Sequence, residues 1–327
     1  MGTGWRALRR RILTPDVSET SLDKRGFHKK SPAAQELLET VGTLFLKGYA
    51  DAVESRTPED LAQRLEEIPE RFRGFAYEGA GMGYGVLDGL PFGGSKNVDA
   101  LLAGPGDPHI YMVYVGVGWA MARIPRFRWP AFGHFDPLLS WLVLDGYGFH
   151  QAYFQTKKYV HEQYQNENFS WGGKPAYANR CIDQGIGRAL WFVGGTDAEL
   201  VTSLLGRFPA ERHGDLYAGV GLAATYAGGG DEDELHLLVE RAGEFRGQLA
   251  QGSSFAAEAR VRAGLVVPHN NVATKILCGL PVERAAQASL DVRPGGDESA
   301  TAGDLPAFEL WRQRIAREVL SLGGVGK

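Results

Sequence analysis

Cysteine is nearly absent from this chain. Only Cys181 and Cys278 occur, far apart and outside any Cys-x-x-Cys spacing, so neither a disulfide framework nor a thiolate metal site can be built from them. Such usage suits a reducing, cytoplasmic setting. Long apolar runs are missing too. The longest uncharged apolar stretch, Ile110 to Ala122, falls short of the ~20 residues a spanning helix needs and reads as a buried core helix. The start is basic (Arg6, Arg9, Arg10, Arg11) with no apolar run behind it, which is not the pattern of a secretory signal. A formal net charge of -4 gives no global positive field for nucleic acid or anionic lipid, so no nucleic-acid partner is expected.

The familiar catalytic signatures are absent as well. No P-loop, G-x-S-x-G or Cys-His pairing occurs, and His150, His161 and Glu162 do not make H-E-x-x-H or another compact metal spacing. Neither a metal nor a cofactor is expected. Gly219-Val220-Gly221-Leu222-Ala223-Ala224 formally matches G-x-G-x-x-A, but Arg212-His213-Gly214-Asp215 precedes it where a dinucleotide site needs an apolar strand. Strand signals are sparse: His109 to Val115 alternates weakly, with no hairpin dipeptide beside it. The chain reads as all-α.

What is abundant is glycine, with 44 residues, about twice the usual share of roughly 7%. A Gly-x-Gly motif in an apolar, aromatic setting recurs, first within Tyr77-Glu78-Gly79-Ala80-Gly81-Met82-Gly83-Tyr84-Gly85. It returns at Gly116-Val117-Gly118, Gly146-Tyr147-Gly148, Gly185-Ile186-Gly187 and Gly219-Val220-Gly221, with starts 37, 30, 39 and 34 residues apart. That is the period of a helix-pair repeat. Glycine inside a helix costs roughly 0.5–1 kcal/mol relative to alanine, so repeated use implies close backbone approach at helix crossings or room for a ligand.

A longer repeat underlies the short one. Thr196 to Leu200 carries the capping pattern of Thr57 to Leu61, displaced by 139, and Phe208-Pro209 matches Ile68-Pro69, displaced by 140. Gly214, Leu216, Tyr217, Gly219 and Gly221 then follow Gly74, Ala76, Tyr77, Gly79 and Gly81 without further slip. The expectation is a tandem duplication of about 140 residues built from Gly-rich helical hairpins, in one compact or solenoid-like body. Its parts are an N-terminal arm over 1–30, a first half over 31–172, a second half over 173–292 with the Gly172-Gly173 break between them, and a linker with a C-terminal amphipathic helix over 293–327.

Acids stand just before several glycine pairs. Glu78, Asp145 and Asp183, with Arg188 as charge partner and His150 five residues after Asp145, are the acid–base candidates, because burial shifts such groups toward useful pKa values. Helix capping, or pairing with Arg188, Arg71 or Arg73, is the structural alternative. Aromatics also gather around the glycines: Tyr77, Tyr84, Trp119, Tyr147, Trp191 and Tyr217, with Gly81 opposite, would line an apolar slot for a flat, unsaturated ligand or simply fill a core.

These motifs together resemble a family. Arg25-Gly26-Phe27, Tyr77 to Met82, Leu144-Asp145-Gly146-Tyr147-Gly148-Phe149-His150, Asp183 to Arg188 and Phe208 to Ala223 resemble the domain-of-unknown-function family 1702, the UnbL-type proteins of actinobacterial enediyne polyketide cassettes. The resemblance implies a cytoplasmic biosynthetic role beside a polyene-making synthase, a thioesterase and a UnbV-type protein. A UnbU-type membrane protein in the same cassettes would let the chain sit at a membrane through that partner. It also implies a polyene or polyyne intermediate as ligand and brings no established catalytic residues. The alternative is a non-catalytic helical scaffold that gathers the pathway's proteins.

Overall fold

The computed structural model describes residues 3–91, 96–132, 135–169, 171, 174–295 and 305–324. The expected Gly172-Gly173 break and most of the linker before the last helix lie outside these residues. Sixteen α-helices and no strands occur among the described residues. They are α1 (Thr3–Leu13), α2 (Leu22–Arg25), α3 (Pro32–Glu54), α4 (Pro58–Leu65), α5 (Glu70–Gly89), α6 (Asn97–Leu102), α7 (Ile110–Met121) and α8 (Leu142–Phe154). Then come α9 (Pro175–Val193), α10 (Ala198–Leu205), α11 (Ala210–Ala227), α12 (Glu232–Ala242), α13 (Arg246–Arg262), α14 (Pro268–Leu277), α15 (Val282–Asp291) and α16 (Ala307–Leu322).

Local chemistry sets the helix starts. Ser31 and Thr57 accept hydrogen bonds from the backbone N–H groups of Ala34 and Asp60, each with proline at the next position. Before α10 the cap is Asp197, not Thr196, which adopts φ 65 and turns the chain. With that correction the displacement from Thr57 to Asp197 becomes 140, the same as from Pro69 to Pro209. The two prolines share φ -52 and ψ 139 ahead of α5 and α11. The α4–α5 and α10–α11 pairs therefore begin alike.

Eight helices, α3, α5, α7, α8, α9, α11, α13 and α15, lie side by side. A β-carbon on Gly81 would collide with the carbonyl of Val113, and one on Gly116 with that of Glu78; each carbonyl lies three residues before the partner glycine. The same reciprocal contact joins Gly48 to Gly79, Gly118 to Gly146, Gly148 to Gly185, Gly187 to Gly219, and Gly221 to Gly252. At the last crossing a serine takes the place of glycine: Ser254 donates a 2.6 Å hydrogen bond to the Ala285 carbonyl. The first glycine of each pair packs backward and the second forward, which is why the motif is Gly-x-Gly. Close approach of backbones is the gain that offsets the propensity cost.

Neighbours in the row run parallel. Tyr77 stacks on His109, and Asp183 pairs with Arg212, all on the N-terminal side of their crossings. Phe149 meets Phe192, and Thr225 bonds Ser253, on the C-terminal side. The chain returns between rows through short segments: α4, α6, α10, α12, α14, a 3-10 turn over Arg126–Phe132 and a π turn over Lys157–His161.

The row closes on itself. Arg260, near the end of α13, donates to the carbonyls of Glu70 and Arg71 at the start of α5, and Tyr111 of α7 bonds Glu258. His28 and Lys30, just before α3, bond Val193 and Gly229 at the ends of α9 and α11. One continuous apolar core fills the space enclosed.

The N-terminal residues expected as an arm are largely helical and packed. Arg9 donates to the Val53 carbonyl, Arg10 pairs with Glu54, and Leu22 and Phe27 are buried. The crossing of α8 with α9, at the expected boundary between halves, has the same geometry as the others. No helix among the described residues is long and apolar enough to cross a membrane.

Candidate functional site

The residue just before the first glycine of a pair points away from the crossing. In α5 it is Glu78 and in α8 Asp145, each 2% exposed. Arg188, one residue past the second glycine of α9, reaches both. Its guanidinium bonds Asp145 Oδ1 and lies 3.6 Å from Glu78 Oε1, stacked 5.0 Å over the Phe149 ring. Three helices thus deliver two carboxylates and one cation to the centre of the enclosed space.

Two apolar slots meet at this charged waist. The first is lined by Met112, Val115, Leu142, Ala223, Tyr226, Phe255 and others, with Asp145 on its wall. The second is lined by Leu38, Val41, Phe45, Met82, Trp119 and Phe149, with Glu78 on its wall, and reaches Pro15, Glu19 and Thr20 near the N-terminus. Phe75, Arg188 and Phe192 belong to both. Their cavity volumes are about 40 Å³ and about 50 Å³. They are narrow channels.

Electrostatics at the waist are unbalanced by burial. Loss of water raises the Glu78 carboxyl to about 7; Arg188 opposes the shift and Asp145 adds to it. Burial also raises Asp145, against the pull of Arg188. For Arg188, burial works against the charge, but Asp145 and Glu78 outweigh it and hold its pKa above the ordinary value. Polar capacity is left over. Asp145 Oδ2, both amide atoms of Gln184, Trp119 Nε1 and the Tyr226 hydroxyl are buried without a completed hydrogen bond among the described residues. Gln184 stands close enough to Asp145 to ease its charge.

The other sequence candidates lie elsewhere. Asp183, two residues before its glycine, faces the opposite way and is gripped by Arg212 at 2.9 Å and, through the second pair of atoms, 2.6 Å. Burial raises Asp183 to about 6, with Arg212 opposing. His150 packs edge-on against Trp119 at 5.5 Å and contacts Gln151 at 3.3 Å, and burial lowers its imidazole to about 4. It does not join Asp145.

Of the seven residues expected to line a ligand cavity, Trp119 lines the second slot and the other six do not line either. Gly81 is a crossing point. Tyr77 stacks on His109, and Tyr84 borders a polar groove with Arg6 and Arg9. Tyr147 packs on Phe169, and the Tyr217 hydroxyl donates to the Arg241 carbonyl. Trp191 is enclosed and donates to the Gly228 carbonyl. The physical reason is helical phase: residues beside a glycine share the crossing face or its back, and the interior face falls at the positions of Glu78, Met82, Asp145, Phe149, Arg188 and Phe192. Gln184 occupies the position of Glu78 and Asp145 relative to its glycine, but as an amide it carries no acid to mark it in the sequence.

Fold and site define a class: a closed array of glycine-crossed helices around narrow apolar channels with a buried carboxylate–arginine waist. The chain belongs to the family described as protein of unknown function (DUF1702), whose model matches residues 4–319. No curated protein and no solved structure matches it.

Proposed function

We propose that this chain binds a long, thin, unsaturated molecule through its interior and moves a proton on it at the waist. The observation that carries the reading is the meeting of two apolar channels at Glu78, Arg188 and Asp145. A ligand filling both would place a mid-chain polar group against them, with an apolar arm on each side. Its oxygen would find the Arg188 cation and the Tyr226 hydroxyl on the wall of the first slot, and the burial of that hydroxyl without a partner carries an energetic penalty that a ligand relieves.

Glu78 is suited to the proton transfer because its pKa of about 7 leaves both forms populated near neutrality. As carboxylate it takes a proton from a carbon beside the polar group; Arg188 steadies the charge that spreads along the conjugated system. The acid form then returns the proton to another carbon. No oxidant is consumed, and Glu78 ends as it began.

The resemblance of the chain's motifs to the UnbL-type proteins supports a polyene or polyyne intermediate of enediyne core assembly as the ligand, received from the pathway's own enzymes. The test is co-expression. The chain is purified alone and after expression beside a polyene synthase and thioesterase, and the ultraviolet–visible spectra are compared. A conjugated chromophore that travels with the chain only in the second case is expected. A colourless protein in both would overturn the reading and favour a scaffold.

A further inference from the structure

An exposed apolar stripe marks the N-terminal helix. Along α1, Trp5, Leu8 and Ile12 follow the i, i+3, i+7 spacing of one helix face and are 52%, 45% and 68% exposed. Other positions hold α1 to the body: Arg10, opposite the stripe, bonds Glu54, the Leu13 carbonyl accepts from Tyr49, and Arg9, beside the stripe, donates its Nε–H to the Val53 carbonyl. The orientation is thus fixed with the apolar residues outward, and Val17 continues the exposed surface just beyond the helix.

Charge flanks this stripe. On a helical wheel Arg9 lies on one side of it and Arg11 on the other, and α1 carries no acidic residue in its first turn and none elsewhere in its sequence. Chain-wide, the net charge is -4, so the basic character is local to this helix. An apolar strip with an aromatic residue, bordered by arginines whose long side chains reach sideways, is the composition of a helix lying in the headgroup layer of an anionic bilayer. The cationic borders favour lipid phosphates over a purely apolar protein pocket.

We infer that α1 seats the chain on anionic membranes, its Trp5–Leu8–Ile12 face in the headgroup layer. The consequence reaches the interior. The second slot is bordered by Pro15, Glu19 and Thr20, which follow α1 directly, so the docked helix sets that channel's rim beside the bilayer. An apolar ligand would pass between lipid and channel without crossing water. The docking itself stands independently of what the channel binds.

Sedimentation of the full chain with vesicles tests it. Phosphatidylcholine vesicles are compared with vesicles containing phosphatidylglycerol, at low and high salt, for the parent and for the triple variant Trp5→Ser, Leu8→Ser, Ile12→Ser. The parent is expected to bind the anionic vesicles at least tenfold more than the neutral ones and to lose binding with salt. The triple variant should lose it at unchanged circular dichroism and melting temperature. Arg11→Gln, which spares the stripe and the Arg9 and Arg10 contacts to the body, should weaken the preference for anionic lipid. No anionic preference in the parent, or full binding by the triple variant, overturns the inference. So does a parent dimer in solution that the triple variant dissolves, since a second copy would then be what covers the stripe. The chromophore experiment is indifferent to these results, and these vesicles contain no polyene.

Discussion

Replacing Gly185 by alanine puts a methyl group where α9 crosses α8. The new carbon would lie 2.7 Å from Phe149 N and 2.8 Å from Asp145 C, and closer still to the Asp145 carbonyl oxygen. Real β-carbons do not approach within 3.0 Å, and the obstacle is backbone on both helices, so the pair must separate by about 1 Å. Overpacking of this kind costs roughly 1–3 kcal/mol. A gap of that size also forfeits a quarter to a half of the dispersion attraction between the contacting atoms. Against these stands alanine's helix advantage of roughly 1 kcal/mol. The expected net loss is about 2 kcal/mol. At roughly 1.5 °C per kcal/mol for a chain of 327 residues the melting temperature falls by about 3 °C. Urea denaturation and a thermal melt read it directly. Gly214→Ala is the matched control: a β-carbon there meets only side-chain atoms, the nearest at 3.5 Å, so that variant should gain about 0.5–1 kcal/mol. A Gly185→Ala protein as stable as its parent would refute the crossing geometry.

Three further outcomes are expected. Glu78 has a folded pKa of about 7 against 4.5 unfolded, so its contribution is fully present below pH 4.5 and is lost as pH rises through 7. Glu78→Gln should therefore gain stability relative to the parent across that window. The difference between the two melts is the measure, because His109, His150 and His269, each lowered to about 4 mainly by burial, lose stability in the opposite direction as pH falls below 6.5. Arg188→Met strips the guanidinium from two buried carboxylates and should cost roughly 3–5 kcal/mol in urea denaturation. Adding Asp145→Asn should return part of that loss, and an equal loss in single and double variants would disprove the coupling. Ala223→Phe should fill the first slot and weaken binding of a fluorescent tetraene fatty acid by an order of magnitude or more, with an unchanged titration counting against that slot as a binding site.

The helical array was largely legible because its spacing rule is written in glycine. Five of the eight crossing helices announce themselves by Gly-x-Gly, since each must approach one neighbour behind and one ahead. Three helices lack the motif. In α3, Leu46 stands where the first glycine would be and only Gly48 meets a later neighbour; α13 combines Gly252 with Ser254, and α15, the last in the row, has no glycine. The parallel direction of the row was not legible, because it depends on the short return helices, whose sequences carry no shared mark. At the site, Glu78 and Asp145 were found from their place before a glycine, but Asp183 was grouped with them although one residue of helical phase turns it toward Arg212. The aromatic residues misled because burial does not distinguish a lumen from a crossing, and Trp191 is enclosed without touching either channel.

Closure at Arg260 constrains the number of units. An open superhelix can lengthen by adding a repeat at its end, and its groove lengthens with it. Here the guanidinium of Arg260 is buried and answered by the carbonyls of Glu70, Arg71, Leu265 and Tyr226. One extra helix inserted before α13 would displace that arginine from the start of α5 and take away its Glu70 and Arg71 carbonyl partners. The cation would then be stranded inside the protein. Size is therefore quantised in this architecture: a chain built this way can adjust what it encloses by exchanging the side chains at the inward positions, but it cannot gain length one repeat at a time.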